Sequence, residues 1–274
     1  MIRSLLVLFL CATSAGQSAI SAGRGVVANP NMAAFPAPPP SASFFNNLQA
    51  QPTSAWSSAG GTICCGGSNT GSVGVTFGNA TPSLSGSSIH LLSSGNQYNV
   101  QTFTPQGCGR LPGGSCTGFS NVQADAYILI PSYSDPIQSY EGPNVSIYTG
   151  TYLYYPSIQC GTNTGSTTPN VPTWNIWNNN ANWTTLNISC AAFVTNKDIY
   201  QHVQVKYNIN FAGNVMTYPM ISIQNQIICA PCGGTYPGYG FTGGGNFKPQ
   251  FQVGARNIAT ATGYFFDEYS VAAW

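Results

Sequence analysis

The alternation of apolar and polar residues at positions 199–210, IYQHVQVKYNIN, constrains the fold more than any other feature of the chain. If these residues form a strand, one of its faces carries Ile199, Val203, Val205, Tyr207 and Ile209. The other face holds Tyr200, His202, Gln204, Lys206 and Asn208. A period of two predicts a strand with one buried face in an antiparallel sheet. The turn residues FAGN follow, and then YPMISIQNQII, which predicts a hairpin partner.

Further short segments of strand character lie between turns that are rich in Gly, Pro and Asn. They cover residues 87–92, 122–130, 144–150, 151–155, 173–178, 183–189, 251–256 and 263–274. A series of short strands separated by turns, with little sign of amphipathic helix, predicts an all-β sandwich or barrel.

The N-terminal residues 1–22 predict a secretory signal peptide, because Arg3 precedes a short apolar run and small residues lead up to Ala22. Residues 23–55 are rich in Ala, Pro and Ser, which is typical of a linker or an N-terminal arm. We expect one sandwich domain over residues 56–274, no integral membrane segment, and a secreted or cell-surface location.

Eight cysteines lie beyond the predicted signal peptide, and an even number in an exported chain predicts disulfides. They are Cys64, Cys65, Cys108, Cys116, Cys160, Cys190, Cys229 and Cys232. A bond between Cys108 and Cys116 would close a Gly-rich loop, and one between Cys160 and Cys190 would bracket the segment WNIW. The other four leave two arrangements open: a local Cys229–Cys232 bond, or bonds from that pair to Cys64 and Cys65. The CxxC spacing of Cys229 and Cys232 also fits a redox pair or half a zinc site, but structural disulfides are the favoured interpretation.

Charged residues make up only 5% of the chain, with 7 Lys and Arg, 6 Asp and Glu, and a formal net charge of +1. So few cations exclude a nucleic-acid footprint and electrostatic docking on anionic membranes. The remaining surface is polar and neutral, which suits a neutral ligand. We therefore expect a neutral polysaccharide or glycan as the partner.

Three segments resemble the concanavalin A-like lectin/glucanase superfamily, especially its laminin-G-like branch. They are YQHVQVKYN at 200–208, FQVGARN at 251–257 and YFFDEYSV at 264–271. The segment at 173–190 is also similar to one in secreted bacterial sandwich proteins of unassigned function. The resemblance covers about residues 56–274 and implies a jelly-roll sandwich of two antiparallel sheets. It also implies that Asp267 accepts hydrogen bonds from a loop. This fold hosts lectins, adhesion modules, hydrolases and lyases, so the resemblance implies no single function.

Catalysis on this fold would need carboxylates that converge on one face, and glycoside hydrolysis uses two of them. Glu141 has no acidic partners at the alternating positions of the glucanase pattern, and the following Gly142-Pro143 predicts a turn. Asp125, in the middle of a predicted strand, and His202 are the other candidates if the protein is an enzyme. Because the acid/base pattern is missing, we expect a protein without catalytic activity.

Metal binding is not expected, since the sequence holds no D-x-D-x-D run. Ca²⁺ is compatible with this fold, and its donors would be Asp125, Asp135 and Asp267. Four N-x-S/T sequons are also present, and whether they carry glycans depends on the host. They begin at Asn79, Asn144, Asn182 and Asn187.

Aromatic side chains could bind sugars by stacking on the apolar faces of pyranose rings. Trp174 and Trp177 lie three residues apart, so on a strand they point to opposite faces and one of them belongs to the core. The candidates for a sugar platform are Trp183, Tyr236, Tyr239 and Tyr154. The leading hypothesis is a lectin-like protein that binds neutral glycans without catalysis. The alternatives are a glycoside hydrolase or lyase on the same fold, and a structural or adhesive surface protein that self-associates.

Overall fold

Two antiparallel β-sheets of nine strands each form the protein in the computed structural model. The structure describes residues 35–62, 71–95, 97–103, 108–134, 139–161, 172–179, 183–255 and 258–274. Side chains from both sheets meet in one hydrophobic core. The predicted all-β sandwich is therefore confirmed.

The first sheet contains the strand that the sequence predicts most clearly. Its strands are β1 (Ser43–Phe45), β3 (Val73–Asn79), β4 (Ser88–Gly95), β6 (Asn121–Leu129), β12 (Tyr200–Asn210), β13 (Val215–Ile223), β14 (Gln226–Cys229), β15 (Cys232–Pro237) and β18 (Ile258–Ala273). The strand order is β14-β13-β12-β6-β18-β4-β3, with β1 paired to β18 and β15 paired to β13. The predicted hairpin of β12 and β13 is confirmed.

The second sheet carries the candidate functional site. Its strands are β2 (Trp56–Thr62), β5 (Gln97–Phe103), β7 (Ser139–Tyr148), β8 (Tyr152–Tyr154), β9 (Ile158–Gly161), β10 (Thr173–Trp177), β11 (Trp183–Ser189), β16 (Tyr239–Gly240) and β17 (Asn246–Gly254). The order is β11-β10-β9-β7-β17-β5-β2, and β8 pairs with both β7 and β16.

Helical structure among the described residues is limited to short segments. One α-helix, α1, spans Ala191–Thr195, and 3-10 turns occur at Leu48–Ala50, Thr53–Ala55, Cys108–Arg110 and Pro112–Gly114. Within the described ranges, no helix has the length and apolar character needed to cross a membrane.

Burial along β12 alternates as the sequence predicts, with Val203, Val205 and Tyr207 in the core. The prediction for Ile199 is wrong, because this side chain precedes the strand and is exposed. Gln201 takes the inward position instead, and its buried amide Nε2 donates to the Phe193 carbonyl at 2.6 Å. The hydrogen bond offsets the cost of burying this polar group.

The C-terminal part of the predicted N-terminal arm, residues 23–55, packs with the sandwich. β1 pairs with the C-terminal strand β18. Phe45 and Leu48 are buried in the core, and Gln49 Oε1 accepts a hydrogen bond from the Tyr269 amide at 2.8 Å. Of the two alternatives for residues 23–55, the arm applies to the segment from β1 onward.

Three disulfides occur among the described residues: Cys108–Cys116, Cys160–Cys190 and Cys229–Cys232. The first two are pairs that the sequence analysis considered, and the third is one of the two arrangements that it left open for the remaining four cysteines. Because Cys229 and Cys232 bond to each other, neither is a thiolate ligand for zinc. Cys64 and Cys65 lie outside the described residues.

Candidate functional site

The side of the second sheet that faces away from the core is called the second outer face here. A row of paired residues crosses five strands on this face: Thr185, Asn175, Gln159, Glu141 and Gln252. Directly paired residues of antiparallel strands share a face, and chain neighbours take the opposite one. The neighbours Tyr140, Ile158 and Ile176 are buried in the core, which places the row on the outer side. Five strands at the usual spacing extend over about 19 Å.

A second row, next to the first, begins with aromatic side chains. Trp183 pairs with Trp177 at the sheet edge, and their ring centroids lie 5.1 Å apart at an interplanar angle of 70°. Tyr155 packs against Trp177 with centroids 6.2 Å apart at 67°. All three side chains are half-buried, so each keeps part of its surface open to solvent. This edge-to-face arrangement holds the three rings in place.

The backbone of Tyr155 is fixed by Asn179. The amide of Tyr155 donates to Asn179 Oδ1 at 3.1 Å. The Asn179 side chain in turn donates to the carbonyls of Leu153 and Pro237, at 3.0 and 2.7 Å. Asn179 has a positive φ of 59°, a conformation that asparagine tolerates better than most residues. The aromatic ring of Tyr155 is therefore anchored through both its backbone and its hydroxyl.

Glu141 is the fourth of the five residues in the first row and is 1% exposed. Its Oε1 accepts hydrogen bonds from Tyr155 Oη at 2.8 Å, Ser157 Oγ at 3.0 Å and Asn144 Nδ2 at 3.2 Å. Its Oε2 accepts from Gln252 Nε2 at 2.8 Å. The carboxyl group thus connects β7, β17 and the segment between β8 and β9.

Burial raises the pKa of Glu141 from 4.5 to about 7, because the charged form loses its hydration. The hydrogen bonds from Tyr155, Ser157 and Asn144 act in the opposite direction and favour the charged form. A group with this pKa changes its charge near neutral pH.

After the aromatic side chains, the second row continues with two amide side chains on β7 and β17. Asn144 pairs with Gln250 across β7 and β17. Gln250 Nε2 donates to the Tyr155 hydroxyl at 2.6 Å, while Gln250 Oε1 accepts from Ser146 Oγ at 3.1 Å. The amides and the aromatic rings therefore belong to one connected hydrogen-bond network.

The four predicted platform residues do not form one site. Trp183 lies on the second outer face, as described above. Tyr239 is 57% exposed and pairs with Leu153, the middle residue of β8. Tyr236 lies in β15 of the first sheet, not in a loop, and packs against the core residue Tyr218 with centroids 6.0 Å apart.

The prediction that Tyr154 binds a sugar is wrong. This side chain is 0% exposed, and its hydroxyl donates to Asn214 Oδ1 at 2.9 Å. Tyr154 pairs with the core residue Ile147, so the alternation along β8 turns its ring inward. A fully buried ring has no face to offer to a ligand.

Two of the three candidate catalytic residues come together, on the first sheet. His202 Nε2 lies 2.6 Å from Asp125 Oδ1, and Gln204 Nε2 donates to Asp125 Oδ2 at 2.7 Å. The ring of Tyr127 stacks on His202 at 4.4 Å. Glu141 is on the other sheet, and it lies within β7, so the predicted turn at Glu141 is wrong. A shift in the β7–β17 register accommodates Pro143 inside the strand.

The environment of His202 favours its charged form. Burial lowers the pKa of the ring, but hydrogen bonds to Asp125 and Asn225, with the charges of Asp125 and Glu268, outweigh burial and raise it above the ordinary value. Both ring nitrogens face oxygen atoms, because Asn225 Oδ1 lies 3.0 Å from Nδ1. This arrangement suits an imidazolium, which donates from both nitrogens.

Asp267 has the structural role that the resemblance implies. Both carboxylate oxygens accept hydrogen bonds from a loop: Ser83 Oγ at 2.6 Å, the Leu84 amide at 2.6 Å and Ser85 Oγ at 2.5 Å. The Glu268 amide donates to it as well, at 2.7 Å. With this shell of donors, Asp267 does not fit the role of a Ca²⁺ ligand.

The other predicted metal donors lie apart from Asp267. Asp125 is engaged by His202 and Gln204, and Asp135 lies outside the described residues. In the part of the chain that the structure describes, no three His, Cys, Asp or Glu side chains are grouped for a metal ion.

The sequons differ in what surrounds their asparagines. Asn144 is 0% exposed, its amide group donates to Glu141, and its Oδ1 accepts from the Ile158 amide at 3.2 Å. Asn79 donates to two backbone carbonyls, and Asn187 is exposed on the edge strand β11. Asn182 lies outside the described residues.

Sequence reasoning missed most of this site. Trp177 and Asn175 share a face of β10 through simple alternation, and Trp174 is the core residue of the predicted pair. That signal was available in the sequence. Nothing in the sequence placed Tyr155 and Gln252 beside Glu141, because that contact depends on the order of strands in the sheet.

Comparisons with known proteins give no match to any protein-family model and none to a curated protein. Solved structures do align. One is the carbohydrate recognition domain of Emp47p, with 10% identity, 82% of this chain and 99% of that chain covered, and a TM-score of 0.41.

Two enzymes align at a similar level. A carbohydrate esterase of the Shiga toxin-encoding bacteriophage phi24B has 13% identity, covers 82% of this chain and 92% of its own, and gives a TM-score of 0.42. Alginate lyase Aly36B aligns with 12% identity, with 72% of this chain and 86% of that chain covered, and a TM-score of 0.42. Likenesses at this level do not distinguish a binding domain from an esterase or a lyase. The function has to be argued from the residues of the site.

Proposed function

We propose that this chain is a secreted, non-catalytic, lectin-like protein of the concanavalin A-like type that binds neutral glycans on the second outer face. The observation that carries the proposal is the half-buried aromatic row of Tyr155, Trp177 and Trp183 beside a row of amides. Aromatic faces contact the apolar faces of sugar rings, and amides hydrogen-bond to sugar hydroxyls as donors and as acceptors.

The charge distribution of this face supports a neutral ligand. Glu141 is the only carboxylate in the two rows, and it lies beneath Tyr155 and Gln252. A ligand over the two rows would meet the half-buried rings and the amide of Gln252, whereas Asn144, Gln159, Asn175 and Gln250 are buried. One cation, Lys248, lies farther along β17 on the same face, with its ammonium 4.7 Å from the centre of the Tyr148 ring. The three disulfides support the proposed secretion, because such bonds persist in oxidising compartments.

The positions of the carboxylates support a binding role. Hydrolysis by two carboxylates requires them on the same face, about 5–10 Å apart. The described residues place Glu141 on the second sheet and the Asp125–His202 pair on the first. Glu141 has no second acid in its two rows. On the first sheet, Glu268 lies near enough to Asp125 and His202 for their charges to interact, but both carboxylate oxygens of Asp125 are already engaged by His202 and Gln204.

The proposal is tested by a binding screen of the oxidised protein against soluble and insoluble neutral glycans, with release of reducing ends followed in the same wells. We expect binding without release. Trp183→Ala should weaken binding at least about tenfold, as expected when a large aromatic contact residue is removed. Tyr133→Ala removes an exposed tyrosine that contacts His90 of the first sheet, and it should leave binding unchanged. Release of reducing ends would overturn the proposal.

A further inference from the structure

The hydrogen-bond shell of Glu141 consists of donors only. The hydroxyls of Tyr155 and Ser157 and the amide groups of Asn144 and Gln252 all point their hydrogens at the carboxylate. An ionised carboxylate only accepts, whereas a protonated carboxyl group also donates. The shell therefore fits the ionised form. After protonation, the O–H group of the Glu141 carboxyl faces a partner that is also donating.

Gln252 is the member of this shell best able to reverse its hydrogen bond. Among the described residues it is the only partner of Oε2, it is half-buried on the second outer face, and a half-turn of its amide would bring its oxygen to Glu141. Ser157 bonds to the other oxygen, Oε1, and the remaining two partners are more constrained. Tyr155 also accepts from Gln250, and Asn144 also accepts from the Ile158 amide.

Among the described residues, the other titratable groups whose charges interact with Glu141 are tyrosines. They are Tyr155, between β8 and β9, and the core residues Tyr207 on β12, Tyr218 on β13 and Tyr264 on β18. Burial raises the pKa of all four above the usual 10.0, so they stay neutral at physiological pH. Among these described groups, only Glu141 changes charge near pH 7.

We propose that Glu141 is a positioning residue whose protonation reverses the amide of Gln252 and weakens the hold on Tyr155, so that glycan affinity falls at acidic pH. Before the reversal, Gln252 turns its amide oxygen, an acceptor, away from Glu141. After the reversal, it turns its NH2 group, a donor, away from Glu141 instead. The affinity part of this inference rests on the function proposed above, and the rearrangement does not.

The rearrangement is tested without any glycan. The chain has only two glutamates, Glu141 and Glu268, so carbon-13 labelling of glutamate carboxyl groups gives two NMR signals. Glu268→Gln assigns them and serves as the matched control. We expect the Glu141 signal to titrate with a midpoint of about 7, and the side-chain amide of Gln252 to shift with the same midpoint. A Gln252 amide that does not follow Glu141 would overturn the inference.

Affinity is then measured by calorimetry for cellohexaose, laminarihexaose and xylohexaose at pH 5.5 and 8.5. We expect about fivefold weaker binding at pH 5.5, the effect of one lost hydrogen bond. Glu141→Gln should remove the pH dependence. Gln252→Ala should reduce the pH dependence to the part that acts through Tyr155 while Glu141 still titrates, which keeps the test available if the buried substitution does not fold.

The outcomes separate the two proposals. Equal affinity at both pH values in the wild-type protein would overturn the pH-dependent affinity and leave the proposed function intact. If no hexasaccharide binds at either pH while Glu141 and Gln252 titrate together, the glycan-binding function fails for these probes and the proton-linked rearrangement is supported.

Discussion

At Glu141, burial changes an ordinary carboxyl group into one that titrates near neutral pH. The pKa is 4.5 in an exposed setting and about 7 in the folded protein, so the native state holds more protons than the unfolded chain between these values. The stabilisation by this group is complete below pH 4.5 and is lost as the pH rises through 7. We expect the free energy of unfolding to fall by about 3 kcal/mol over this window.

Urea unfolding at a series of pH values measures this linkage. Glu141→Gln should remove most of the fall in unfolding free energy with pH between pH 4.5 and 7. The control Glu268→Gln alters an exposed glutamate and should keep most of the slope. A slope that survives Glu141→Gln would assign the linkage to other groups.

Asp267 is the second buried carboxylate whose role depends on its donors. Asp267→Asn would set an amide group against the loop at residues 83–85, leaving at least one buried donor without an acceptor. We expect a loss of about 3 kcal/mol in unfolding free energy. Asp198→Asn, at an exposed aspartate that accepts from the Ser132 amide, should cost less than about 1 kcal/mol. Equal losses in the two variants would contradict the role given to Asp267.

At the scale of elements, the disulfides differ in how much chain they constrain. Cys160–Cys190 joins β9 to the residue before α1 across 30 positions, whereas Cys229–Cys232 spans 3. Loop-closure entropy predicts about 4 kcal/mol for the longer loop and about 2 kcal/mol for the shorter. Replacing both cysteines of a pair by alanine and comparing denaturant midpoints tests this ranking. A larger loss from the shorter loop would contradict the entropic explanation.

Strands with strong alternation were predictable and strands rich in glycine or small polar residues were not. β11 occupies the predicted residues 183–189, and β12 begins within one residue of its prediction. β2, with the sequence WSSAGGT, and β15, with CGGTYP, lack an alternating pattern and take their conformation from the strands that they pair with. β-propensity depends on such neighbours, so these strands were missed.

At the scale of the whole molecule, strand order decides which residues form the site. Glu141 and Gln252 are separated by 111 positions in the chain, yet β7 and β17 lie side by side. The sequence predicts that each residue belongs to a β-rich region, but it does not predict which strands are adjacent. The same reason explains why Asp125 and His202, two candidates named from sequence, lie on the opposite sheet from Glu141.

The most direct test of glycan binding by the second outer face uses the five tryptophans as reporters. Trp177 and Trp183 lie at the proposed site, Trp56 and Trp174 are buried in the core, and Trp274 lies under Lys206 of the first sheet. The indole N–H signals are followed by NMR as a neutral hexasaccharide is added. If glycans bind to the second outer face, the signals of Trp177 and Trp183 will shift together in a saturable way while that of Trp274 stays fixed. A saturable shift of Trp274 without Trp177 and Trp183 would place the binding site on the other sheet and contradict glycan binding by the second outer face.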